Sequence, residues 1–375
     1  MKGFEDISEL LQQEVIAPIL DGEDIESFHF LQALWRGKEI PGAKFSDCIF
    51  ENILFKDIHF NECSFFSATF INCRWENCYF ENCHFNFSKL SHCTIQSSEL
   101  HTVTLLKTSI ENLLIASSYL DCVDFIDSPT ASLKVVESEV ERSGLMPLRA
   151  EEKEAYVSAP FMEHEASTYQ LMTKDSRFKH FILLNFDFSI WENQNSILNN
   201  LIALNSRALN YDFSGVNLTM SQFTGSDMRG ANFSSANVSQ CSFIESDLSG
   251  ANFDGAKANY ALLHKANLPG ASFNNTDLMS ANLSQSIISG SSFVEANLTT
   301  AYLSKSDLRD CSFRGVEMAY TDISYANISG SDFDGARFYY SNHHAVVDVQ
   351  TRYGSKSGIM ETDQEMLKAD LWLMS

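Results

Sequence analysis

The chain has 375 residues, of which 44% are hydrophobic, and a formal net charge of -23 at pH 7. This composition can bury a core, and it excludes a chain that is disordered by composition. The acidic excess argues against direct nucleic-acid binding, which needs clustered lysine and arginine, and it disfavours anionic membrane surfaces. No segment approaches the roughly 18 consecutive apolar residues that a membrane-spanning helix requires.

The first predicted element is an amphipathic helix in residues 4–20, and we assign residues 1–24 to an N-terminal capping helix. A cap of this kind would cover strand edges that otherwise invite aggregation. The segment carries acidic residues where a signal peptide would need an unbroken apolar stretch. We therefore expect a cytoplasmic protein, with export by a signal-peptide-independent secretion system as the alternative.

The dominant feature is a five-residue beat. Every fifth residue is large and apolar from Phe45 to Phe125 and again from Phe213 to Phe338, with Ala258 the one undersized member. This period fits neither a helix nor a flat strand, so it indicates one small unit stacked on itself. Weaker units extend the first array to residues 25–145 and the second to residues 181–340.

Each unit of the second array reads small, polar, large, polar, polar, as in Ala231-Asn232-Phe233. The small and large residues should point inward together, as alternating strand residues do. Two positions after the large residue, the second array favours glycine, which supplies a positive φ at no steric cost. The first array favours asparagine and aspartate there. This difference predicts different turns in the two arrays.

The pattern closely resembles the pentapeptide-repeat family, whose consensus is Ala-Asp/Asn-Leu followed by two variable residues. The resemblance implies a bacterial protein with an all-β solenoid fold. The solenoid would be a right-handed parallel quadrilateral β-helix with four units in each coil. One face then repeats at every fourth unit. The residues predicted to form aromatic columns in its core are Phe45, Phe65, Phe85, Phe213, Phe233, Phe253, Phe273, Phe293, Phe313 and Phe333.

The beat fails between Leu145 and Leu183, whose separation along the chain is not a multiple of five. Residues 146–180 read as two short helices broken by Pro160. We expect a helical insert or linker there, either an excursion from one continuous β-helix or a hinge between two. Departures from a regular scaffold often carry function.

Residues 341–375 are predicted to form a C-terminal strand, over residues 343–347, and then a helix over residues 361–374. The helix would cap the stack or bury apolar side chains in a homodimer. Together with the interruption, it supplies the candidate partner-binding residues. These are Tyr156, Phe161, Met162, Tyr169, Leu371 and Trp372.

No residue is assigned to catalysis, a cofactor or a metal. Six of the nine cysteines stand two positions before a large apolar residue, which favours packing over metal binding. His343-His344 could be read as a metal site and Met162-Glu163-His164-Glu165 as a metal or acid/base site, but a structural role is favoured for both. The common nucleotide-binding and hydrolase motifs are absent from the sequence.

Three functions remain open. The first is a non-enzymatic protein-binding scaffold that acts through the faces and non-repeat segments of a rigid acidic β-helix. The second follows from the resemblance, since some pentapeptide-repeat proteins mimic duplex DNA and modulate DNA gyrase or topoisomerase IV. The third is a secreted effector or a secretion-associated protein. The partner expected in each case is another protein.

Overall fold

The computed structural model describes residues 22, 24–36, 39–128, 130–146, 171–194 and 197–373. The chain divides into two compact units. Unit 1 comprises Met1–Leu184 and Ile190–Ile197, and unit 2 comprises Asn185–Ser189 and Leu198–Ser375. In each unit, parallel strands pair with the equivalent strands of the next coil, as Phe45 does with Phe65. Each unit is therefore a parallel β-solenoid with four five-residue units per coil, as the resemblance implied.

Unit 1 has four faces, named after the large residue that each contains: face A (Phe45), face B (Phe50), face C (Phe55) and face D (Phe60). Short strands stack along every face, and two longer strands, Glu99–Leu106 and Tyr119–Ile126, run through faces D and A. Face A also contains the strands Asp24–Glu26, Lys44–Ser46, Ser64–Phe66, His84–Asn86, Gly144–Met146 and Ile182–Leu184, and face B contains His29–Leu31, Ile49–Glu51, Thr69–Ile71, Lys89–Ser91 and Ser109–Glu111. Face C contains Leu34–Arg36, Leu54–Lys56, Arg74–Glu76, Thr94–Gln96, Leu113–Ala116, Leu133–Val136, Leu171–Lys174 and Trp191–Gln194. Face D also contains Glu39–Pro41, His59–Asn61, Tyr79–Glu81, Glu139–Glu141 and Arg177–Lys179.

The break in the beat lies inside one coil of unit 1. Strands on its two sides pair directly, so that Leu145 lies beside Leu183 and Val140 beside Phe178. The separation of these partners along the chain is nearly twice that of a regular coil, such as the one that joins Phe45 to Phe65. The strands on the two sides of the interruption therefore belong to one continuous solenoid in unit 1.

The predicted boundaries of the helical insert at 146–180 are wrong. Met146 ends a strand, and Leu171–Lys174 and Arg177–Lys179 are strands. The reason is that Leu171 and Phe178 occupy buried inward positions. Residues 147–170, where the predicted helices fall, lie outside the described residues. The same holds for residues 1–21 of the predicted N-terminal cap, and Asp24, assigned to that cap, begins a strand.

Unit 2 is built from coils joined mostly by single bridges between equivalent residues of successive coils, from Asp187 with Arg207 to Asn327 with Val347. Its faces are face E (Phe213), face F (Leu218), face G (Phe223) and face H (Met228). The longer strands are Ile202–Leu204, Glu317–Ala319, Asp332–Phe333, Arg337–Tyr339, Ser341–Asn342, Arg352–Tyr353 and Ile359–Met360; the strand Ile197–Asn199 and the 3-10 helix Phe188–Ile190 fall where the chain alternates between the units.

The predicted aromatic columns are confirmed in the cores. From Phe213 to Phe333, the rings of successive coils stack with centroid separations of 4.6–5.0 Å and interplanar angles of 5–11°. In unit 1, Phe65 stacks between Phe45 and Phe85 in the same way. All of these rings are buried. Such close packing leaves little free volume inside the coils.

The corners of both arrays use the left-handed backbone region, with φ between 47° and 76° at the fifth position of most described units. Their hydrogen bonds differ, as predicted. In the second array the chain closes a turn at each corner, for example where Val216 N donates to Phe213 O at 3.1 Å. A positive φ at Gly215 within this turn fits type II. In the described part of the first array, corner backbone groups bond to neighbouring coils instead.

The C-terminal end of unit 2 carries the predicted helix, which spans Gln364–Leu373. Asp363 caps it by accepting hydrogen bonds from Glu365 N at 2.9 Å and Met366 N at 3.2 Å. Ala345 N donates to Thr362 Oγ1 at 3.1 Å, which ties this segment to the last coil. The predicted strand at residues 343–347 is wrong, because Ala345 occupies a corner with φ 52° and the chain turns there.

Candidate interaction surfaces

A small cavity lies in the described core of unit 1. It has a volume of about 20 Å³ and an entirely apolar lining. It lies where the core changes from rings such as Phe80 and Phe85 to aliphatic residues such as Leu100 and Leu105. A space of this size holds at most one water molecule, and an apolar lining keeps it dry. This cavity is therefore too small to be a ligand-binding site.

Eight of the nine cysteines are buried, including the six that the sequence predicted to pack in the core. The six that stand two positions before a large residue are all buried, and each Sγ donates to a carbonyl oxygen 23 residues earlier, at 3.0–3.6 Å. In unit 2, burial raises the pKa of Cys241 and Cys311 to about 12. Thiols of this kind are poor nucleophiles at neutral pH. Among the described residues, no group of three or more His, Cys, Asp or Glu side chains could hold a metal ion.

His343 is one of two buried imidazoles at the C-terminal end of unit 2, the other being His344. His343 continues the inward column that contains Leu303 and Ile323, and only 7% of it is exposed. Its Nε2 lies 3.2 Å from Ser341 Oγ, and its ring packs edge-on against Phe338 at 5.3 Å. Burial, helped by the charge of Lys356, lowers the pKa of His343 to about 4. The ring is therefore neutral and structural at pH 7.

This burial predicts a pH-dependent stability. Between pH 6.5 and 4 the unfolded chain binds a proton at His343 that the folded chain excludes, so stability falls as the pH falls. From pH 7 to 5, the wild type should lose about 2 kcal/mol more than His343→Leu, which keeps an apolar residue in the column. Denaturant titrations at the two pH values measure the difference. Equal losses in both proteins would contradict the assignment.

Some acidic side chains of the outer surface are paired with basic neighbours. On face H, Arg229 and Arg309 bind Asp227 and Asp307 at 2.8 and 2.6 Å. These hydrogen bonds lower the pKa of both aspartates. On face D, Lys179 binds Glu141 at 2.7 Å. Because the chain has 49 acidic residues and 26 lysines and arginines, such pairs neutralise only part of its acidic surface.

Outward asparagines and aspartates of the repeat also serve the fold. Asn232 Oδ1 accepts a hydrogen bond from Ser234 N at 3.1 Å, which braces the turn. Its Nδ2 donates to Asp212 Oδ1 in the preceding coil at 2.9 Å. Asn267 makes the equivalent bond to Asp247 at 3.0 Å. These side chains link one coil to the next, so they are components of the repeat rather than paired catalytic carboxylates.

A concentration of exposed aromatic side chains marks the corner between faces F and G. Seven large side chains there are 40–56% exposed. Tyr320, Tyr339 and Tyr340 touch one another, with ring centroids 4.8–5.9 Å apart. We call this surface the tyrosine edge. It consists of Met220, Tyr260, Leu262, Tyr302, Tyr320, Tyr339 and Tyr340.

The tyrosine edge was missed in the sequence, although the signal was present. Tyr260, Tyr320 and Tyr340 are separated by whole numbers of coils, so writing the sequence one coil to a row places them in one column. The residues that were predicted to bind a partner are not tested by the structure. Tyr156, Phe161, Met162 and Tyr169 lie outside the described residues. Leu371 and Trp372 lie in the C-terminal helix, and the positions of their side chains are likewise outside the description.

The five-residue unit, the coil of four units and the filled core define a parallel β-solenoid of the quadrilateral type. Eight copies of the family model "Pentapeptide repeats" match residues 63–101, 212–243, 246–285 and 276–315. The chain belongs to the pentapeptide-repeat proteins. No curated protein matches it in sequence.

Solved structures of the same family resemble it at low sequence identity. Full-length QnrB1, a plasmid-mediated fluoroquinolone resistance protein, is 19% identical; the match covers 52% of this chain and 97% of QnrB1, with a TM-score of 0.25. HetL from Nostoc sp. strain PCC 7120, a protein involved in heterocyst differentiation regulation, is 13% identical, with 84% and 89% covered and a TM-score of 0.20. Rfr23 from Cyanothece 51142 is 20% identical, with 32% and 63% covered and a TM-score of 0.18.

Among the described residues, no helix is long and apolar enough to cross a membrane.

Proposed function

We propose that the chain is a non-enzymatic scaffold that binds another protein through its outer surface. The tyrosine edge is the observation that carries this proposal. Aromatic side chains are enriched at protein interfaces, where they supply most of the binding energy. Seven large side chains on one corner form an exposed patch of the kind that marks an interaction site.

The interior supports the same conclusion. Aromatic and aliphatic side chains fill the described coils. The cavity in unit 1, of about 20 Å³, is too small for a substrate. Burial raises the pKa of Cys241, so this thiol is not a poised nucleophile. Mimicry of duplex DNA is less well supported. Duplex DNA carries one negative charge per roughly 1.7 Å of its axis, whereas part of the acidic surface here, including Asp227 and Asp307, is paired with arginines.

Photo-crosslinking in the native cells tests the scaffold. The full chain is produced with p-benzoylphenylalanine in place of exposed residues on each face, and the adducts are identified by mass spectrometry. The captured protein is then purified and titrated against the chain by calorimetry. The proposal expects a stoichiometric complex with a dissociation constant in the micromolar range or below. Absence of any protein adduct from every face, with no binding at micromolar concentrations, would reject it.

A further inference from the structure

We infer that the tyrosine edge is the docking site, and that its partner is a protein with an apolar, uncharged cleft. This inference rests on the proposed function and specifies where and how the partner binds. The edge extends over six coil steps, from Met220 to Tyr340, which is about 29 Å at ~4.8 Å per step. Its residues lie at the corner and on the two flanks that meet there.

Charge is almost absent from this edge. The edge is formed by three columns of residues, which begin at Thr219, Met220 and Gln222 and have one residue in each of the six following coils. Of all the residues in these three columns, only Asp322 is charged. The equivalent columns on the corner between faces G and H contain six charged residues. These are Asp227, Glu245, Asp247, Lys265, Lys305 and Asp307. A partner that brought charge to the tyrosine edge would bury it without a counter-charge, which opposes binding.

The backbone gives a second, independent observation. Met220, Tyr260, Tyr320 and Tyr340 occupy corner positions with φ between 51° and 63°. This region is unfavourable for residues with a side chain, and glycine avoids the strain. The corner between faces H and E uses glycine in the same slot, at Gly230, Gly250, Gly270, Gly290 and Gly330. Fold stability therefore does not explain tyrosine at these corners, whereas a contact made by the exposed rings does.

The form of the surface distinguishes among partners. A corner between two flat faces is convex, so it fits a concave cleft, and a second copy would set one ridge against another. Tyr320 and Tyr340 stack on each other at 5.9 Å with an angle of 5°, so they do not offer a pair of outward ring faces to a sugar. Seven half-exposed side chains supply on the order of 600 Å². That area approaches the roughly 800 Å² per partner of a standard protein interface.

A variant pair tests the docking site. Tyr302→Ser/Tyr320→Ser/Tyr340→Ser removes three rings from the edge. The matched control, Ile287→Ser/Val347→Ser/Val349→Ser, removes three exposed apolar side chains elsewhere, which are 49–64% exposed. The probe is the purified protein captured by p-benzoylphenylalanine at position 302. We expect the edge variant to bind it about 100-fold more weakly than the wild type, and the control to bind within about threefold.

Salt provides the test of partner chemistry. Between about 50 and 500 mM NaCl, an uncharged interface should change its dissociation constant by less than about threefold, because screening acts on charges. A weakening of more than about tenfold would overturn the uncharged cleft. Unchanged binding by the edge variant would overturn the docking site and leave the scaffold intact, whereas absence of any partner would reject the scaffold itself.

The alternative occupants have their own outcomes. Sedimentation that shows a wild-type dimer, lost in the edge variant, would replace the partner protein by a second copy. Wild-type binding to a glycan array, lost in the same variant, would replace it by a carbohydrate. Both triple variants should melt at the wild-type temperature, since their substituted side chains are exposed. If one of the triple variants melts below the wild-type temperature, the binding measurements are made instead on the three corresponding single-substitution variants.

Discussion

Phe273→Ala should lower the free energy of unfolding of unit 2 by about 3–5 kcal/mol. The Phe273 ring lies in the middle of the face E column, fully buried, and stacks at 4.8 Å on both Phe253 and Phe293. Alanine would remove both stacks and leave a cavity that the rigid coils on either side cannot collapse to fill. Urea or guanidinium denaturation followed by far-UV circular dichroism measures the loss.

Phe66→Ala is the control for this substitution. Phe66 is also a phenylalanine, but its side chain points outward from unit 1 and is 46% exposed. Its removal should change stability by less than about 1 kcal/mol. Comparable losses for Phe66→Ala and Phe273→Ala would show that the stacked column is not the main source of stability.

Gly358→Ala should release the last strand and the C-terminal helix. The final coil of unit 2 contains fewer residues than a regular coil. Ser341 and its paired residue Ile359 are closer along the chain than Asp332 and its paired residue Arg352. Gly358 makes this closure with φ 89°, and a Cβ atom there would clash with the carbonyl oxygen of Phe338. Backbone cannot yield as a flexible side chain can, so the strand Ile359–Met360 should detach.

Limited proteolysis measures this release, since Lys356 and Lys368 flank the affected strand. Gly270→Ala is the control, with a similar positive φ of 67° but no atom within 4 Å of the added Cβ. Its cost should be about 1–2 kcal/mol, from backbone strain alone. We expect rapid tryptic cleavage in Gly358→Ala and wild-type resistance in Gly270→Ala. Wild-type resistance in both variants would contradict the role of Gly358.

The repeat could be predicted because inward positions are chemically distinct. Phe213 and its equivalents in the following coils had to be buried, and the small residues before them had to be small, because a narrow coil admits nothing else. The same logic assigned the cysteines to packing. The weaker units at His29–Leu31 and Leu133–Val136 also form strands, since one inward apolar residue in five suffices.

The outer surface could not be predicted in the same way. Outward positions accept almost any residue, so the five-residue beat does not distinguish Tyr302 from Asn282, which occupies the same column one coil earlier. The end of the predicted helical insert was misplaced for a related reason. The strands that follow residues 147–170 carry Thr173 and Phe178 inward, and in the sequence so short a pattern is hard to separate from helical spacing. Only pairing with Val135 and Val140 reveals the register.

Position in the five-residue unit separates residues that stabilise the fold from residues that are free to bind a partner. Tyr302 and Leu303 are adjacent, yet Tyr302 is 53% exposed and Leu303 is fully buried. The most direct test compares the free energies of unfolding of Tyr302→Ser and Leu303→Ser. Leu303→Ser should lose at least about 3 kcal/mol, since it leaves a cavity and an unpaired hydroxyl, and Tyr302→Ser should stay within about 0.5 kcal/mol of the wild type. Similar losses in the two variants would contradict the claim.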